Sequence, residues 1–245
     1  MLKYQELQVR DRKKVASSVS RFLEHQSRER DDLRRTLEHI ASCLEDAVIF
    51  GGMIREFALG NTRSFNSDID IVSRAGRNDI FAAIKNYHPS VNKFGGYRFI
   101  VGKQLYDIWS FDDTWAFKNG LVEGSSIQDI FKTTFFNLDA AVFHLGKRQL
   151  FCSESYIDSL QRRVLDLNLQ ENPSPSGMVR RAIKLAISNE LAVTPRLGEY
   201  IVNHIDMVKL DDVSSSYVRN LRVFLSQQQD GNFSFSPQGC LFSHE

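Results

Sequence analysis

The sequence is short of cysteine, of net charge and of long apolar runs. Its three cysteines, Cys43, Cys152 and Cys240, are odd in number and widely spaced, so they suit neither a disulfide framework nor a zinc site and indicate a reducing compartment. The net charge of +1 gives no bulk electrostatic drive toward nucleic acid, so such binding would need a local basic patch. No apolar run approaches the roughly 18 residues of a membrane helix, and the charged first residues lack a signal-peptide core. These absences predict a cytoplasmic protein with no membrane partner.

The 245 residues allow one large or two small globular domains with a real core. In residues 1–46, apolar side chains recur at helical spacing and predict two helices with a break near Gln26 and Ser27. The two apolar stripes are Val15, Val19, Phe22 and Leu23, then Leu33, Leu37, Ile40 and Leu44. We interpret the many charges here as a solvated face, with an RNA-binding surface as the alternative.

The most informative stretch covers residues 47–72. Val48, Ile49 and Phe50 suit a buried strand, and Gly51 and Gly52 then allow a sharp turn that brings backbone N–H groups close to a ligand. A short helix follows and ends near residue 60. A glycine turn that opens a helix is a ready anion site, because unpaired N–H groups and the helix dipole point the same way.

Two aspartates follow on the next predicted strand. Strand alternation places Asp68 and Asp70 on one face and two isoleucines on the other. Two neighbouring carboxylates repel each other unless a cation lies between them. A phosphate-binding turn beside a carboxylate pair supplies the parts needed to bind a Mg-nucleotide.

A third carboxylate lies in a predicted β-hairpin. Its two arms are residues 97–101 and residues 104–111, joined by a turn at Gly102 and Lys103. Asp107 lies in an apolar arm, where an acid is costly unless it is paired or bound to metal. It is therefore the natural third member of the site.

The remainder of the chain is mainly helical in pattern from residue 156 onward. Residues 172–177 break the pattern, and helices are predicted at 178–191, 198–208 and 217–225, followed by a polar tail. Arg180, Arg181 and Lys184 give the first of these helices a basic face. We interpret that face as solvated, with contact to a nucleotide or RNA as the alternative.

These motifs together resemble the head-domain signature of tRNA CCA-adding enzymes and bacterial poly(A) polymerases, which belong to the polymerase-β-like nucleotidyltransferase superfamily. The resemblance consists of GGMIRE at 51–56, Leu-Gly at 59–60 and Asp-Ile-Asp at 68–70, in the family order and spacing. Fainter parallels extend to about residue 200. In particular, Asp139 stands where the family has an asparagine, and residues 181–186 (RAIKLA) resemble the R-A-x-R-F-A of the neck.

The chain also departs from the family pattern. Thr133, Thr134 and Phe135 stand where the family has two arginines and an aspartate. The element that reads the incoming base is replaced by residues 174–178 (SPSGM). Metal chemistry is therefore expected to carry over from the resemblance, and base selection is not.

The resemblance implies an α+β fold with a small mixed-sheet nucleotidyltransferase head flanked by helices. We expect an N-terminal helical segment at 1–46, the head at 47–153, a helical neck-like domain at 154–226 and a polar tail at 227–245. It further implies that Asp68, Asp70 and Asp107 are catalytic and hold two Mg²⁺ ions, and that Gly51, Gly52 and Arg55 bind the nucleotide.

The implied reaction transfers a nucleoside monophosphate from an NTP to a hydroxyl, with an RNA or tRNA 3′ end as the expected acceptor and release of pyrophosphate. Two alternatives stay open at this point. One is transfer to a small molecule or a protein, as in antibiotic-modifying or toxin-type enzymes. The other is a non-catalytic nucleotide-binding protein of this fold.

Overall fold

The computed structural model describes residues 2–25, 30–62, 65 and 67–236, without the side chains of residues 2–10 and Met207. The break predicted near Gln26 and Ser27, and Cys240 in the predicted tail, lie outside these residues. The described chain folds into two units, one formed by residues up to 134 together with 139–158, the other by residues 135–138 together with those from 159 onward. No helix in the described ranges is long and apolar enough to cross a membrane.

The first unit is built on a seven-stranded mixed sheet. Its strands are β1 (Val48–Phe50), β2 (Ile69–Ser73), β3 (Ser90–Val91), β4 (Tyr97–Val101), β5 (Gln104–Ser110), β6 (Ala141–His144) and β7 (Gln149–Cys152). Their spatial order is β3-β4-β5-β2-β1-β6-β7. Strands β2 and β5 run parallel, whereas the other neighbours are antiparallel. This mixed sheet with flanking helices confirms the predicted α+β fold class.

Short and long helices accompany the sheet. They are α1 (Leu2–Glu24), α2 (Asp31–Cys43), α3 (Gly52–Ala58), α4 (Arg77–Ile84), α5 (Trp115–Lys118) and α6 (Tyr156–Gln161), with 3-10 turns at Lys85–Tyr87, Phe111–Asp113, Ile127–Thr133 and Asn137–Asp139. The first unit ends within α6.

The two predicted N-terminal helices bury apolar side chains of the stripes that the sequence predicts. Val19, Leu23 and Ile40 are at most 2% exposed, and α1 lies against α3 and β7. Phe22 makes an edge-to-face contact with Phe57, with ring centroids 4.7 Å apart. Burying each aliphatic side chain of this kind contributes about 1.5–3 kcal/mol, so these helices belong to the core of the sheet unit.

In the part of the chain that the structure describes, the second unit has three helices after α6 and a two-stranded parallel sheet. The elements are β8 (Val164–Leu165), α7 (Pro175–Ser188), β9 (Ala192–Val193), α8 (Pro195–Asn203), a 3-10 turn at Ile205–Met207 and α9 (Asp212–Ser226). Helices α7, α8 and α9 begin three, three and five residues before the predicted starts at 178, 198 and 217, which were wrong. Proline is the first residue of α7, a position where its missing N–H is not needed. Helices α8 and α9 are capped locally, because Thr194 accepts a hydrogen bond from Leu197 N (3.2 Å) and Asp211 accepts one from Ser214 N (2.7 Å).

Gly96, the residue before β4, packs closely against Trp109 and Ile108 of β5, and a substitution there tests this packing. A Cβ atom there would lie 2.3 Å from Trp109 Nε1 and 2.8 Å from the carbonyl oxygen of Ile108. We expect Gly96→Ala to lower the free energy of unfolding by about 1–3 kcal/mol, as overpacking of a filled interior does. Denaturant unfolding measures this effect. Gly76→Ala is the control, since its Cβ would be 3.5 Å from Asp79, and losses of equal size would contradict the overpacking explanation.

Candidate functional site

Three aspartates converge on one face of the sheet. Because β2 and β5 are parallel neighbours, Asp70 lies directly opposite Asp107, and Asp68 precedes β2 on the same side. One carboxylate oxygen from each of the three lies within 4.8 Å of the others. Asp107 is 2% exposed, whereas Asp68 and Asp70 are partly buried. Carboxylate oxygens are the ligands that Mg²⁺ prefers, so this donor set fits a hard divalent cation.

The segment that enters β2 is tied to the neighbouring strand. Gln104, at the start of β5, donates from Nε2 to the carbonyl oxygen of Ser67 at 2.8 Å. On the opposite face of this strand, Ile69 and Ile71 are fully buried in the core. The alternation of aspartate and isoleucine therefore turns the carboxylates away from the core, as the sequence predicts.

The carboxylate of Asp107 has its own protein partners. Arg98 on β4 lies opposite it and donates from Nη2 to Oδ2 at 2.5 Å and from Nε to Oδ1 at 3.0 Å. Asn92 Nδ2 donates to Oδ1 at 2.9 Å. The sequence required Asp107 to be paired or bound to metal, and the structure shows that it is paired.

The two glycines form a turn beside the aspartates. Gly51 has φ +71, in the region that favours glycine, and caps α3. A Cβ on Gly51 would lie 3.6 Å from Asp70 Oδ2. The turn therefore adjoins the carboxylate cluster, as the predicted arrangement of phosphate turn and metal site requires.

Arg55 is buried and engaged with two carboxylates. It is 7% exposed, and it donates from Nη1 to Asp139 Oδ1 and from Nε and Nη2 to Glu56 Oε1 at 3.2 Å each. Burial alone would lower the pKa of Arg55, but the carboxylates of Asp139 and Glu56 raise it above its ordinary value. Arg55 thus ties α3 to the end of the 3-10 turn that lies two residues before β6. Its contact with a nucleotide stays a prediction.

Residues 174–178, which depart from the family pattern in sequence, form the start of α7 in the second unit. Helix α7 starts with Pro175, and Ser174 N donates to Asn172 Oδ1 at 3.0 Å. Further along, Arg180 and Lys184 line a groove of about 470 Å³ together with Lys209. Within the described chain these three cations have no ion-pair partner, and Asp211 is the one acid in the lining.

Sequence reasoning missed Arg98, Asn92 and the partner of Arg55. A signal for Arg98 was present, because a two-residue turn at 102–103 pairs Val101 with Gln104 and hence Arg98 with Asp107. Asn92 and Asp139 reach their partners across 15 and 84 residues of sequence. No local pattern reports contacts of that kind.

Neither a protein-family model nor a curated protein sequence matches the chain, whereas solved structures do. A structure described as a tRNA-processing enzyme, in an apo form, has a TM-score of 0.54 at 16% identity, over 87% of this chain and 62% of the other. The Thermotoga maritima CCA-adding enzyme complexed with tRNA has a TM-score of 0.55 at 16% identity, over 86% and 51%. A tRNA nucleotidyltransferase complexed with a primer tRNA and an incoming ATP analog has a TM-score of 0.52 at 15% identity, over 83% and 64%.

These likenesses establish the fold. Over 83–87% of its length the chain shares the fold of these solved structures, which confirms the predicted resemblance at the level of the fold. In particular, the similar structures are CCA-adding enzymes and tRNA nucleotidyltransferases, and the chain spans about half to two thirds of their length.

Proposed function

We propose that this chain is a Mg²⁺-dependent nucleotidyltransferase that moves a nucleoside monophosphate from an NTP to a hydroxyl on an RNA 3′ end, with tRNA as the favoured acceptor. The observation that carries the proposal is the convergence of Asp68, Asp70 and Asp107 within 4.8 Å, beside a glycine turn, on a sheet of this fold. We also propose the division into head (47–153) and neck-like (154–226) parts, with the flanking segments 1–46 and 227–245, and a cytoplasmic location.

The reaction would break one bond and form one. The acceptor hydroxyl oxygen bonds to the α-phosphorus, the α–β anhydride bond breaks, pyrophosphate leaves, and the hydroxyl proton passes to Asp107 or to water. Mg²⁺, held by the three aspartates, would supply charge neutralisation at the phosphates and a lower pKa for the attacking hydroxyl.

The protein groups mainly hold and orient the reactants. Backbone N–H groups at Gly51 and Gly52 would bind the triphosphate, and Arg55 would reach a phosphate or hold the aspartate side of the site as a planar donor. Positioning and charge neutralisation account for most of the catalysis expected in such transfers.

RNA is favoured as the acceptor by two observations. Two of the similar solved structures are complexes with tRNA, and Arg180, Lys184 and Lys209 form a groove whose cations have no ion-pair partner among the described residues. Unpaired cations around a groove suit a phosphate backbone, because binding of phosphates releases counterions.

Transfer to a small molecule or a protein is the second candidate. It is favoured by the start of α7, where SPSGM at 174–178 carries no acid and no arginine to read a base. A net charge of only +1 also fits an acceptor other than a polyanion.

Label transfer tests both candidates directly. The purified protein is incubated with Mg²⁺, each α-labelled NTP in turn, and total tRNA, total protein or a small-molecule cell extract. Label in tRNA supports the first candidate, and label in protein or in a small molecule supports the second. No labelled product, together with no binding of any Mg-NTP by calorimetry, would overturn both.

The groove offers a separate prediction about RNA. The double variant Arg180→Ala and Lys184→Ala is expected to weaken tRNA binding several-fold at low salt. The slope of log affinity against log salt concentration is expected to fall by the equivalent of up to about two phosphate contacts. Fluorescence titration at several salt concentrations measures both quantities. The control is Arg219→Ala with Arg222→Ala on α9, which removes two cations that do not line the groove. An equal loss in both double variants would contradict a role for the groove.

A further inference from the structure

The hairpin brings a cation onto the candidate metal site. In the β4–β5 register Arg98 is the direct cross-strand partner of Asp107, so both side chains lie on the same face of the sheet. Asp107 is in turn the direct partner of Asp70 on β2. The order across the sheet is therefore arginine, aspartate, aspartate, and the guanidinium and the carboxylate cluster share one surface.

Arg98 engages both oxygens of Asp107. The distances are 2.5 Å from Nη2 to Oδ2, and 3.0 and 3.2 Å from Nε to Oδ1 and Oδ2. The hydrogen bond to Asp107 is the main cause that raises the pKa of Arg98 above its ordinary value, and the charges of Asp68 and Asp70 act in the same direction. All three acids of the cluster thus interact with this one guanidinium.

The two partners of Asp107 differ in exposure and in their other contacts. Asn92 is held in place by the loop, because its Oδ1 accepts hydrogen bonds from Phe94 N and Gly96 N at 3.0 Å each. The Arg98 side chain is 47% exposed, whereas that of Asp107 is 3% exposed. Arg98 can therefore leave the carboxylate for solvent, and Asn92 retains a hydrogen bond to it.

We propose that Arg98 is a positioning residue that competes with a divalent cation for the Asp107 carboxylate and so weakens metal binding at the three-aspartate site. The inference rests on the proposed function in taking the three aspartates as a metal site. It makes ligation of the metal by Asp107 depend on displacement of the guanidinium.

The competition follows from lone pairs and charge. A guanidinium fork on both carboxylate oxygens occupies the lone pairs that a metal would use. A cation held by Asp70 would also be repelled by the positive charge of Arg98, which lies two strands away on the same face of the sheet. Removing the guanidinium from the carboxylate is therefore expected to raise the metal affinity at least about tenfold.

The test is a titration of the full chain with Mn²⁺, followed by the electron paramagnetic resonance signal of the free ion, with Mg²⁺ as competitor. Arg98→Ala is expected to lower the Mn²⁺ dissociation constant at least about tenfold. Arg98→Gln keeps a donor for the buried carboxylate without the charge, which protects the fold, and is expected to bind Mn²⁺ more tightly as well. Thermal unfolding of each variant verifies that it is folded.

Two controls separate competition from a general charge effect. Lys103→Ala removes an exposed cation in the turn of the same hairpin and is expected to change the dissociation constant by less than about twofold, as a screened surface charge should. In the background of Asp107→Asn, Arg98→Ala is expected to lose most of its effect, because the carboxylate under competition is gone.

Each outcome decides the inference. Tighter Mn²⁺ binding in both Arg98 variants than in the unaltered chain supports the inference. If the variants bind Mn²⁺ and the unaltered chain binds none, the inference is still supported, but the proposed function is weakened. Unchanged or weaker binding in the variants, with measurable binding in the unaltered chain, overturns the inference and leaves the proposed function standing. Absence of binding in all of them overturns both.

Discussion

Asp70→Asn is expected to reduce nucleotidyl transfer by at least about a thousandfold, equivalent to roughly 4 kcal/mol of transition-state stabilisation. Asp70 lies between the glycine turn and Asp107, since it is 3.6 Å from a Cβ placed on Gly51 and directly opposite Asp107 on β5. It is therefore the carboxylate common to the proposed triphosphate and metal contacts, and an amide removes the charge without changing the shape.

The same substitution is expected to change the midpoint of thermal unfolding little, because Asn keeps the shape of the side chain and the lost charge is both repelled by two carboxylates and attracted by Arg98. Activity is measured by transfer from an α-labelled NTP at saturating Mg²⁺, and stability by thermal unfolding. Asp79→Asn, an exposed acid in the first turn of α4, is the matched control and should retain full activity. A Asp70→Asn variant that is folded and transfers label at more than about a tenth of the normal rate would contradict the assigned role.

Asp139→Ala is expected to lower the free energy of unfolding by about 3–5 kcal/mol, because it leaves a buried guanidinium without its main partner. Arg55 and Asp139 are 7% and 6% exposed, and Asp139 accepts from Arg55 Nη1. Glu56, the other partner of Arg55, has a more exposed side chain (22%). Glu56→Ala should therefore cost clearly less, and denaturant unfolding compares the two variants.

A double variant separates the charge from the packing at this position. Arg55→Met with Asp139→Leu replaces the ion pair by apolar side chains and is expected to recover most of the stability lost in Asp139→Ala. If the double variant is as unstable as Asp139→Ala, the loss comes from packing and the unpaired charge is not its cause.

The sequence predicts well where one residue pattern determines both an element and its direction. The alternation in 68–72 specifies a strand with aspartates on one face, and the structure has Ile69 and Ile71 fully buried there. The glycine pair at 51–52 specifies a turn, and Gly51 has the positive φ that such a turn requires. The two-residue turn at 102–103 specifies the hairpin and its register.

The sequence predicts less where a contact joins distant segments. Asp139 could be placed by resemblance at the family's asparagine position, yet its ion pair with Arg55 depends on how β6 meets α3. The start of α8 was also missed, because the apolar periodicity is weak in its first turn and the capping by Thr194 is a side-chain contact. The parallel pairing of β2 with β5, which brings Asp70 to Asp107, is likewise a property of the whole sheet.

The most direct test of the proposed chemistry follows the two ends of the triphosphate separately. Parallel reactions contain α-labelled or γ-labelled NTP, Mg²⁺ and the acceptor that takes up label. Nucleotidyl transfer predicts α-label in the acceptor, γ-label in pyrophosphate, and equal molar amounts of the two products, all lost in Asp70→Asn. Label from the γ-position in the acceptor or in inorganic phosphate, with the α-label left in a nucleoside diphosphate, would contradict it.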